Sequence, residues 1–343
     1  MNRPQRILVI RRDNIGDLVC TTPLLSALRR HFPDAWLAAL VNSYNAPVLQ
    51  GNPDLDAVFV YRKFKHAGGE SRWRVWWETL RLILKLRAMK IDVLIVATPA
   101  WTPSALKCAR WIKPARVICF GQQAADAGDS LAMRPAESWH ETQAVMHLLT
   151  PLGIEAAPGP AKVFPEAGRQ AAVVLPSGEG PLIGLHISAR KPSQRWPVEA
   201  FAQLARRLHA ERGARFLLFW APGAEDNKLH PGDDGKAQAV LAACGDLPIE
   251  PCATRELPEL IAGLACCDAI VCSDGGAMHL AAGLGKPILC FFGNSGAAHW
   301  RPWGVEHQLL QPASLNVPDI SVDEAVDRFH ALMQDVHDKA GRP

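Results

Sequence analysis

Two carboxylates follow the first apolar run of the sequence. Residues 7–10 (ILVI) read as a buried strand, and residues 11–17 (RRDNIGD) come directly after it. A carboxylate at the carboxyl end of a strand can remove a proton from an attacking hydroxyl group, so Asp13 and Asp17 are candidates for a general base. Either aspartate could instead cap the helix that follows. The residues alone leave both interpretations open.

A pair of glycines follows a later strand. Residues 273–280 (SDGGAMHL) lie between a predicted strand at 269–272 and a predicted helix. Gly275 and Gly276 let the backbone approach a ligand closely, and the N–H groups at a helix start suit a diphosphate. An ordinary turn, with His279 packed against a neighbour, would show the same residue types.

A basic loop opens the second half of the chain. Residues 186–197 (HISARKPSQRWP) follow a predicted strand at 183–187. Their cations could neutralise a leaving diphosphate, or the segment is a solvated loop in which Pro197 starts a helix. Glu225 follows a strand that ends at residue 220, and it could accept hydrogen bonds from a ribose or a base. Most single glutamates in loops have no such role.

The elements around these segments alternate between strand and helix. The first series has strands at 7–10, 36–41, 58–61, 93–97 and 117–120 and helices at 18–31 and 73–89. The second has strands at 183–187, 216–220, 269–272 and 288–292 and helices at 198–210, 257–264 and 277–284. This alternation predicts two α/β domains, each with a doubly wound parallel sheet, at residues 1–170 and 171–343. Thr22 and Pro23 suggest that the first helix begins after residue 18 or has an irregular first turn.

The composition argues against several classes of protein. A net charge of +3 is too small for general binding of nucleic acid. Neither a dinucleotide fingerprint nor a P-loop pattern is present, so a nicotinamide enzyme and a P-loop NTPase lack support. Nine cysteines without C-x-x-C spacing, and an N-terminus without a long apolar run, predict a reduced, cytoplasmic protein. Asp54 and Asp56 form a D-x-D pattern, but their place in a turn favours local hydrogen bonding over a metal.

Taken together, these segments resemble glycosyltransferase family 9, the ADP-heptose:lipopolysaccharide heptosyltransferases, across nearly the whole chain. The order of the motifs carries the resemblance as much as their content. They are residues 7–17 with Thr22-Pro23-Leu24, then Asn52-Pro53, Arg195-Trp196-Pro197, residues 274–282 (DGGAMHLAA) and Phe292-Gly293.

The resemblance implies a GT-B architecture of two Rossmann-like domains, with the last helix packing back on the N-terminal domain. It also implies an inverting transfer of a heptose from ADP-heptose to a lipopolysaccharide core or related glycan acceptor, with no cofactor or metal. Asp17 falls at the family's proposed catalytic base. The sugar nucleotide would be bound in the C-terminal domain by Ser188, Arg190, Lys191, Gln194, Arg195, Glu225, Asp274, Gly275, Gly276 and His279. The acceptor would be bound in the N-terminal domain near Arg12, Asp13, Asn14, Arg62, Lys63 and Lys65.

Two positions depart from the family pattern. Gln194 stands where a lysine usually assists the diphosphate, so Arg190, Lys191 or Arg195 would have to supply that charge. Gly275 stands where a hydroxyl residue is common. Two alternatives therefore stay open: a family member that uses another sugar nucleotide or acceptor, and a non-catalytic protein of the same fold that binds sugar nucleotides. We expect a monomer that does not bind nucleic acid.

Residues 62–90 are rich in tryptophan, lysine and arginine. Helical spacing favours packing of the large apolar side chains into the N-terminal domain. The cations of the preceding loop could meet the phosphates of a lipid-linked acceptor, or anionic headgroups. We therefore expect peripheral, salt-sensitive contact with the inner face of the cytoplasmic membrane, weakened when Arg62, Lys63 and Lys65 become serine. The apolar side chains expected in the core are Trp73, Trp76, Trp77, Leu80 and Leu84.

Overall fold

The computed structural model describes residues 3–62, 72–98, 102–120, 129–132, 138–225 and 232–341. The chain forms two compact units, Met1–Lys162 and Val163–Pro343. The division falls somewhat before the expected boundary between residues 170 and 171. Each unit is an α/β sandwich around one parallel sheet, as the alternation of strands and helices predicts.

The sheet of the first unit has the strand order β3-β2-β1-β4-β5-β6, and all its pairs are parallel. Strand β1 is central because Ile7 pairs with Leu37 on one side and with Val93 on the other. After the exposed Arg6 the strand is apolar and buried, since helices cover both faces of a parallel sheet. The strands are β1 (Arg6–Ile10), β2 (Trp36–Asn42), β3 (Ala57–Tyr61), β4 (Val93–Val96), β5 (Arg116–Phe120) and β6 (Asp129–Ala132).

The helices of the first unit connect these strands. They are α1 (Ile15–His31), α2 (Arg72–Ala88), α3 (Pro103–Ile112) and α4 (Glu141–Met146), with short 3-10 helices at Ala46–Leu49 and His147–Leu152.

Helix α1 begins earlier than expected. It starts at Ile15 and continues through Pro23, so the prediction that Thr22 and Pro23 mark its start was wrong. Proline has no N–H group for the carbonyl four residues before it, which belongs to Val19. The Thr22 hydroxyl donates to that carbonyl at 2.7 Å and so restores the missing hydrogen bond. The early start places Asp17 in the first turn of the helix.

The exposed side of α2 contradicts the expected packing. Trp73, Trp76 and Trp77 are 71%, 45% and 54% exposed. Helical spacing alone did not show which side of the helix faces the sheet, because α2 has apolar residues on two sides. The helix packs instead through Val75 and Leu86, which are fully buried. Of the other two residues expected in the core, Leu80 is partly buried and Leu84 is exposed.

The second unit repeats the topology of the first. Its sheet has the order β12-β11-β10-β7-β8-β9, again with parallel pairs. Counted from its own first strand, this order is the same as that of the first sheet. The strands are β7 (Leu182–His186), β8 (Arg215–Trp220), β9 (Ile249–Ala253), β10 (Ala269–Ser273), β11 (Ile288–Phe291) and β12 (His307–Leu310).

The helices of the second unit surround that sheet. They are α5 (Ala167–Ala171), α6 (Val198–Arg212), α7 (Asp234–Cys244), α8 (Leu257–Cys266), α9 (Gly276–Gly283), α10 (Ala297–Trp300) and α11 (Val322–Ala340), with 3-10 helices at Pro192–Gln194 and Val317–Asp319. The last helix, α11, packs on α6, β11 and β12 of its own unit. Packing of that helix on the first unit stays a prediction. Among the helices of the described residues, none is long and apolar enough to cross a membrane.

Trp196 anchors the basic loop to the core of the second unit. Its side chain is 1% exposed and packs against the rings of Phe201 and Phe291, at centroid distances of 5.0 and 4.8 Å. The indole N–H donates to the Ile320 carbonyl at 2.9 Å, so the ring is held by packing and by a hydrogen bond. The residues just before Trp196 are therefore fixed at the carboxyl end of β7.

Candidate functional site

Both sheets place their predicted motifs where ligands bind in folds of this kind. In a doubly wound sheet, ligands bind outside the carboxyl ends of the strands, at the point where the strand order reverses. That point lies between β1 and β4 in the first unit and between β7 and β10 in the second. Residues 11–17 follow β1, and residues 187–195 and 274–276 follow β7 and β10. The sequence therefore predicted the position of each candidate site.

In the first unit, one buried guanidinium gathers three carboxylates. Arg11 is 2% exposed, and its Nη2 atom lies 2.9 Å from Asp17 Oδ1 and 2.6 Å from Glu141 Oε1. Its Nε atom lies 3.3 Å from Asp13 Oδ2, and its Nη1 atom donates to the Ala97 carbonyl. Burial alone would lower the pKa of Arg11, but the three carboxylates reverse that effect and raise it.

Both oxygens of the Asp17 carboxylate have polar partners that fix its orientation. Its Oδ2 atom accepts from the backbone N–H of Asn14 at 2.8 Å and from the Asn14 amide at 2.9 Å. The side chain is 10% exposed. Asp17 therefore does perform the capping role that the sequence left open, together with Asn14 at the N-cap of α1. The Asp13 side chain is 38% exposed and pairs with Arg11.

Asp13 and Arg12 line a cavity of about 150 Å³ in the first unit. Arg12 Nε donates to the hydroxyl of Tyr61 at 2.7 Å, and its guanidinium lies 4.5 Å from the centre of the Tyr61 ring. Burial raises the pKa of Tyr61 against the opposing effect of Arg12, so the phenol stays neutral. The cavity can thus offer hydroxyls, a cation and a carboxylate to a polar ligand. The other residues that line it are Ile10, Thr98, Thr102, Ser104 and Ala105.

The remaining residues predicted to bind the acceptor lie in different places. Asn14 faces Asp17, whereas Arg62 is exposed directly after β3. Lys63 and Lys65 lie outside the described residues.

The D-x-D pair ties together segments of the first unit that are distant in the sequence. Asp54 Oδ2 accepts from Ser26 and from Lys162, and Asp56 Oδ2 accepts from Arg29 and from the backbone N–H of Leu37. Burial opposes ionisation of Asp56, but its two hydrogen bonds outweigh that effect and lower its pKa. The prediction of hydrogen bonding within the turn was wrong for these two side chains, because their partners lie 19 to 108 positions away in the sequence.

In the second unit, the glycine pair begins helix α9. Gly275 is exposed at its N-cap, and Gly276 is the first helical residue. The first N–H groups of a helix have no partner within it and carry the positive end of the helix dipole, so they suit an anion. His279, one turn later, is 4% exposed and meets the Trp300 ring edge-on at 5.9 Å. The packed histidine that the sequence left open is therefore present.

Gln194 connects the basic loop to the glycine motif. Its side-chain amide nitrogen lies 3.4 Å from both Asp274 Oδ2 and Ser295 Oγ. Its backbone carbonyl accepts from the Ser273 hydroxyl at 2.7 Å. The side chain is buried. The family's usual lysine position is thus occupied here by a neutral amide that bridges Asp274 and Ser295.

The three cations of the basic loop have different surroundings. Lys191 Nζ donates to Asn294 Oδ1 at 3.3 Å, in the same 294–295 segment that Gln194 contacts. Arg195 Nε instead donates to the Ala189 carbonyl at 2.9 Å, and its Nη1 atom lies 3.7 Å from Asp233. Arg190 is exposed. Of the three cations, Lys191 is therefore the one that contacts the same segment as Gln194.

A partly buried lysine that sequence reasoning missed lies at the same edge of the sheet. Lys236 Nζ donates to the Ile187 carbonyl, where β7 ends, at 3.0 Å. Burial lowers its pKa to about 8, although the charges of Asp233 and Glu225 oppose that shift. Glu225 is exposed in the segment that follows β8. That loop is tied to the basic loop because Ser188 Oγ accepts from the backbone N–H of Ala221 at 2.9 Å.

Glu141 and Lys236 were missed because no local pattern marks them. Glu141 lies 130 positions after its partner Arg11, and Lys236 lies 49 positions after its partner Ile187. Their neighbours along the chain show no motif, and only the folded sheet brings them to the candidate sites. Among the described residues, no group of His, Cys, Asp and Glu side chains has the arrangement of a metal site.

Two doubly wound units, each with its polar motifs at the carboxyl ends of the central strands, are the GT-B architecture of glycosyltransferases. The family model for glycosyltransferase family 9 (heptosyltransferase) matches residues 79–330. The chain therefore belongs to glycosyltransferase family 9 and is a glycosyltransferase.

Individual relatives agree with this assignment. Lipopolysaccharide heptosyltransferase 3 from Escherichia coli is 25% identical over 296 residues, which cover 84% of this chain and 83% of that protein. Among solved structures, a glycosyl transferase of family 9 from Veillonella parvula has a TM-score of 0.78 at 18% identity, covering 96% of this chain and 97% of that one. The ADP-heptose LPS heptosyltransferase II from E. coli has a TM-score of 0.75 at 19% identity, covering 97% and 99%.

Proposed function

We propose that the protein transfers a heptose from ADP-heptose to a lipopolysaccharide core or related glycan acceptor, with inversion at the anomeric carbon. The relatives support both substrates, because the E. coli protein of similar sequence is a lipopolysaccharide heptosyltransferase and the E. coli protein of similar fold is described as using ADP-heptose. The enzyme would work as a monomer in the cytoplasm, at the inner face of the membrane that holds its acceptor.

The observation that carries the proposal is the carboxylate cluster around Arg11. One guanidinium faces three carboxylates, so the buried cluster holds more negative than positive formal charge. Asp17 would take the proton from the acceptor hydroxyl as the hydroxyl oxygen attacks the donor. Arg11 and Asn14 hold the Asp17 carboxylate in one orientation, which a general base requires.

The cavity beside Asp13 would hold part of the acceptor. Sugars are recognised through hydroxyl groups that both donate and accept hydrogen bonds, and the cavity supplies hydroxyls from Tyr61, Thr98 and Thr102. Arg12 adds a fixed positive charge, which suits an acidic or phosphorylated sugar.

The donor would bind at the carboxyl edge of the second sheet. The start of α9 would meet the diphosphate, which leaves with the negative charge released by the reaction. Lys191 would supply the cation that Gln194 lacks, since both contact residues 294–295. Glu225 would accept hydrogen bonds from the ribose hydroxyls.

The base is tested by comparing two aspartates in the same motif. Asp17→Asn should lower kcat by about 10²–10⁴-fold, the usual contribution of a general base, with little change in the affinity for ADP. Asp13→Asn is the matched control and should mainly raise the KM for the acceptor. Turnover of Asp17→Asn within a few fold of the parent would overturn the assignment, as would a larger loss for Asp13→Asn.

The donor site is tested by calorimetric titration with ADP. Asp274→Ala and His279→Ala should each weaken binding, because Asp274 holds Gln194 and His279 supports the first turn of α9. ADP binding equal to the parent in both variants would place the nucleotide elsewhere. Thermal protection by ADP-heptose, compared with UDP- and GDP-sugars, would separate the proposed donor from the alternative donors. Protection without any turnover would favour the non-catalytic alternative.

A further inference from the structure

Helix α2 carries an exposed apolar stripe. At 3.6 residues per turn, Trp73, Trp77 and Leu84 fall within about 40° of one another around the helix axis, and Trp76 borders them. All four side chains are exposed, from 45% for Trp76 to 71% for Trp73. The rings of Trp76 and Trp77 meet edge-on at 5.2 Å. These aromatic side chains therefore form one continuous surface.

The stripe is not needed for the core of the first unit. Val75 and Leu86 lie on the opposite side of α2 and are 0% exposed, while Ile83 lies about 100° from the centre of the stripe and is 6% exposed. Ile83 and Leu86 pack with residues of β1 and β4 in one apolar cluster. The helix thus has one apolar side that packs on the sheet and a second apolar side that is exposed.

Basic side chains border the stripe. Arg74, Arg81 and Lys85 are exposed and lie about 80° around the helix from its centre. One acidic residue, Glu78, lies among them and pairs with Arg74 at 3.3 Å. The surface is therefore aromatic along its middle and positively charged along one edge.

We propose that the α2 stripe inserts into the interface of an anionic lipid bilayer and holds the enzyme at the membrane surface. Tryptophan favours the headgroup level of a bilayer, where its ring is apolar and its N–H is hydrated. Arginine and lysine beside an inserted apolar face are attracted to anionic lipids. The inference rests on the proposed function in one respect, since a lipid-linked acceptor is the reason for such contact.

Charge favours a bilayer over a second copy of the chain. In a symmetric dimer that pairs two copies of α2 antiparallel through this stripe, the basic edges of both copies would lie on the same side and close together. Like charges brought together at the edge of an interface oppose association. An anionic membrane would instead neutralise them.

Vesicle flotation tests the proposal with the full chain. The wild-type protein should bind phosphatidylcholine vesicles that contain phosphatidylglycerol, and binding should weaken as salt is added. Trp73→Ser/Trp76→Ser/Trp77→Ser should lower the partition coefficient by about tenfold or more, since binding scales with the apolar area inserted. Arg74→Gln/Arg81→Gln/Lys85→Gln should reduce the preference for vesicles that contain phosphatidylglycerol.

A control variant changes exposed apolar residues elsewhere. Val174 and Leu175 are 65% and 46% exposed in the second unit, and Val174→Ser/Leu175→Ser should bind vesicles as the wild type does. Wild-type protein that fails to bind, or a tryptophan variant that binds like this control, would refute the proposal. So would a wild-type dimer that the tryptophan variant converts to monomer, because a second copy would then cover the stripe.

Transfer to a water-soluble, deacylated acceptor separates this inference from the proposed function. The tryptophan variant should retain that activity, because the stripe contains no residue of the candidate sites. If the wild-type protein transfers heptose to the soluble acceptor but does not bind vesicles, only the proposed membrane contact is refuted. Wild-type protein that binds vesicles but transfers nothing to any acceptor would refute only the proposed reaction.

Discussion

Replacing Arg11 should destabilise the first unit more than replacing the carboxylate it contacts most closely. Arg11→Met removes the cation that faces Asp17 and Glu141, which are 8% and 0% exposed. Two buried carboxylates are then left without their partner. Glu141→Gln keeps an oxygen that can accept from Arg11, and it leaves the guanidinium paired with Asp13 and Asp17.

The magnitudes follow from these partners. Removing one member of a buried ion pair costs about 3–5 kcal/mol, so Arg11→Met should lower the free energy of unfolding by at least that amount. Weakening one hydrogen bond to a charged group, as in Glu141→Gln, costs about 1–3 kcal/mol. At about 2–4 °C per kcal/mol for a unit of this size, Tm should fall by about 6–20 °C for Arg11→Met and by about 2–12 °C for Glu141→Gln.

Calorimetric unfolding of the single variants and of the double variant is the measurement. Because Glu141→Gln removes one of the two buried carboxylates that lose the Arg11 cation in Arg11→Met, the double variant should be at least as stable as Arg11→Met alone. Additive losses in the double variant would show that Arg11 and Glu141 stabilise the protein independently. A greater loss for Glu141→Gln than for Arg11→Met would refute the view that Arg11 is the charge on which the cluster depends.

Three further changes follow from individual contacts. Burial lowers the pKa of His186 from 6.5 to about 4, so on acidification the unfolded chain binds a proton before the folded protein does. The free energy of unfolding should therefore fall as the pH drops from about 6.5 to about 4. In urea unfolding, His186→Phe should flatten this pH dependence, whereas His337→Phe, on the exposed side of α11, should not. A Cβ atom at Gly232 would lie 2.1 Å from backbone atoms of the Glu225 loop, so Gly232→Ala should lower both stability and ADP affinity, while Gly168→Ala, with nothing within 4 Å, should change neither. Lys191→Gln should weaken ADP binding severalfold and reduce its salt dependence, and unchanged titrations would assign the missing charge to another residue.

The fold was largely predictable because its information is local. Eight of the nine predicted strands lie inside a sheet, as β1 and β10 do, and the ninth, at residues 58–61, is the edge strand β3. The strands that escaped prediction lie at the sheet edges. Strand β9 contains Pro251 and Glu250 and is partly exposed, a composition that an edge strand tolerates and a central strand does not. Its sequence therefore lacked the signal on which the prediction depended.

The candidate sites were predictable only where a motif is contiguous. Residues 11–17 and 274–276 lie at strand ends that the sequence could locate. Glu141 and Lys236 reach the same strand ends from distant helices, so their roles depend on tertiary packing. The side of α2 that faces the sheet was also undetermined, because both sides are apolar and only contact with β1 and β4 distinguishes them.

Gln194 shows what a departure from a family pattern does to its surroundings. A lysine amine at this buried position would pair with Asp274 and offer its charge to a diphosphate. The amide keeps the contact with Asp274 at 3.4 Å and adds one with Ser295, but it carries no charge. Another cation would therefore have to supply the positive charge that a diphosphate needs. Lys191 lies on the same 294–295 segment and is exposed, free to turn toward an incoming anion while Arg195 stays fixed to Ala189. The charge of the donor site would then be supplied by a mobile side chain instead of a buried one, and donor binding should depend more strongly on salt than the buried position would allow.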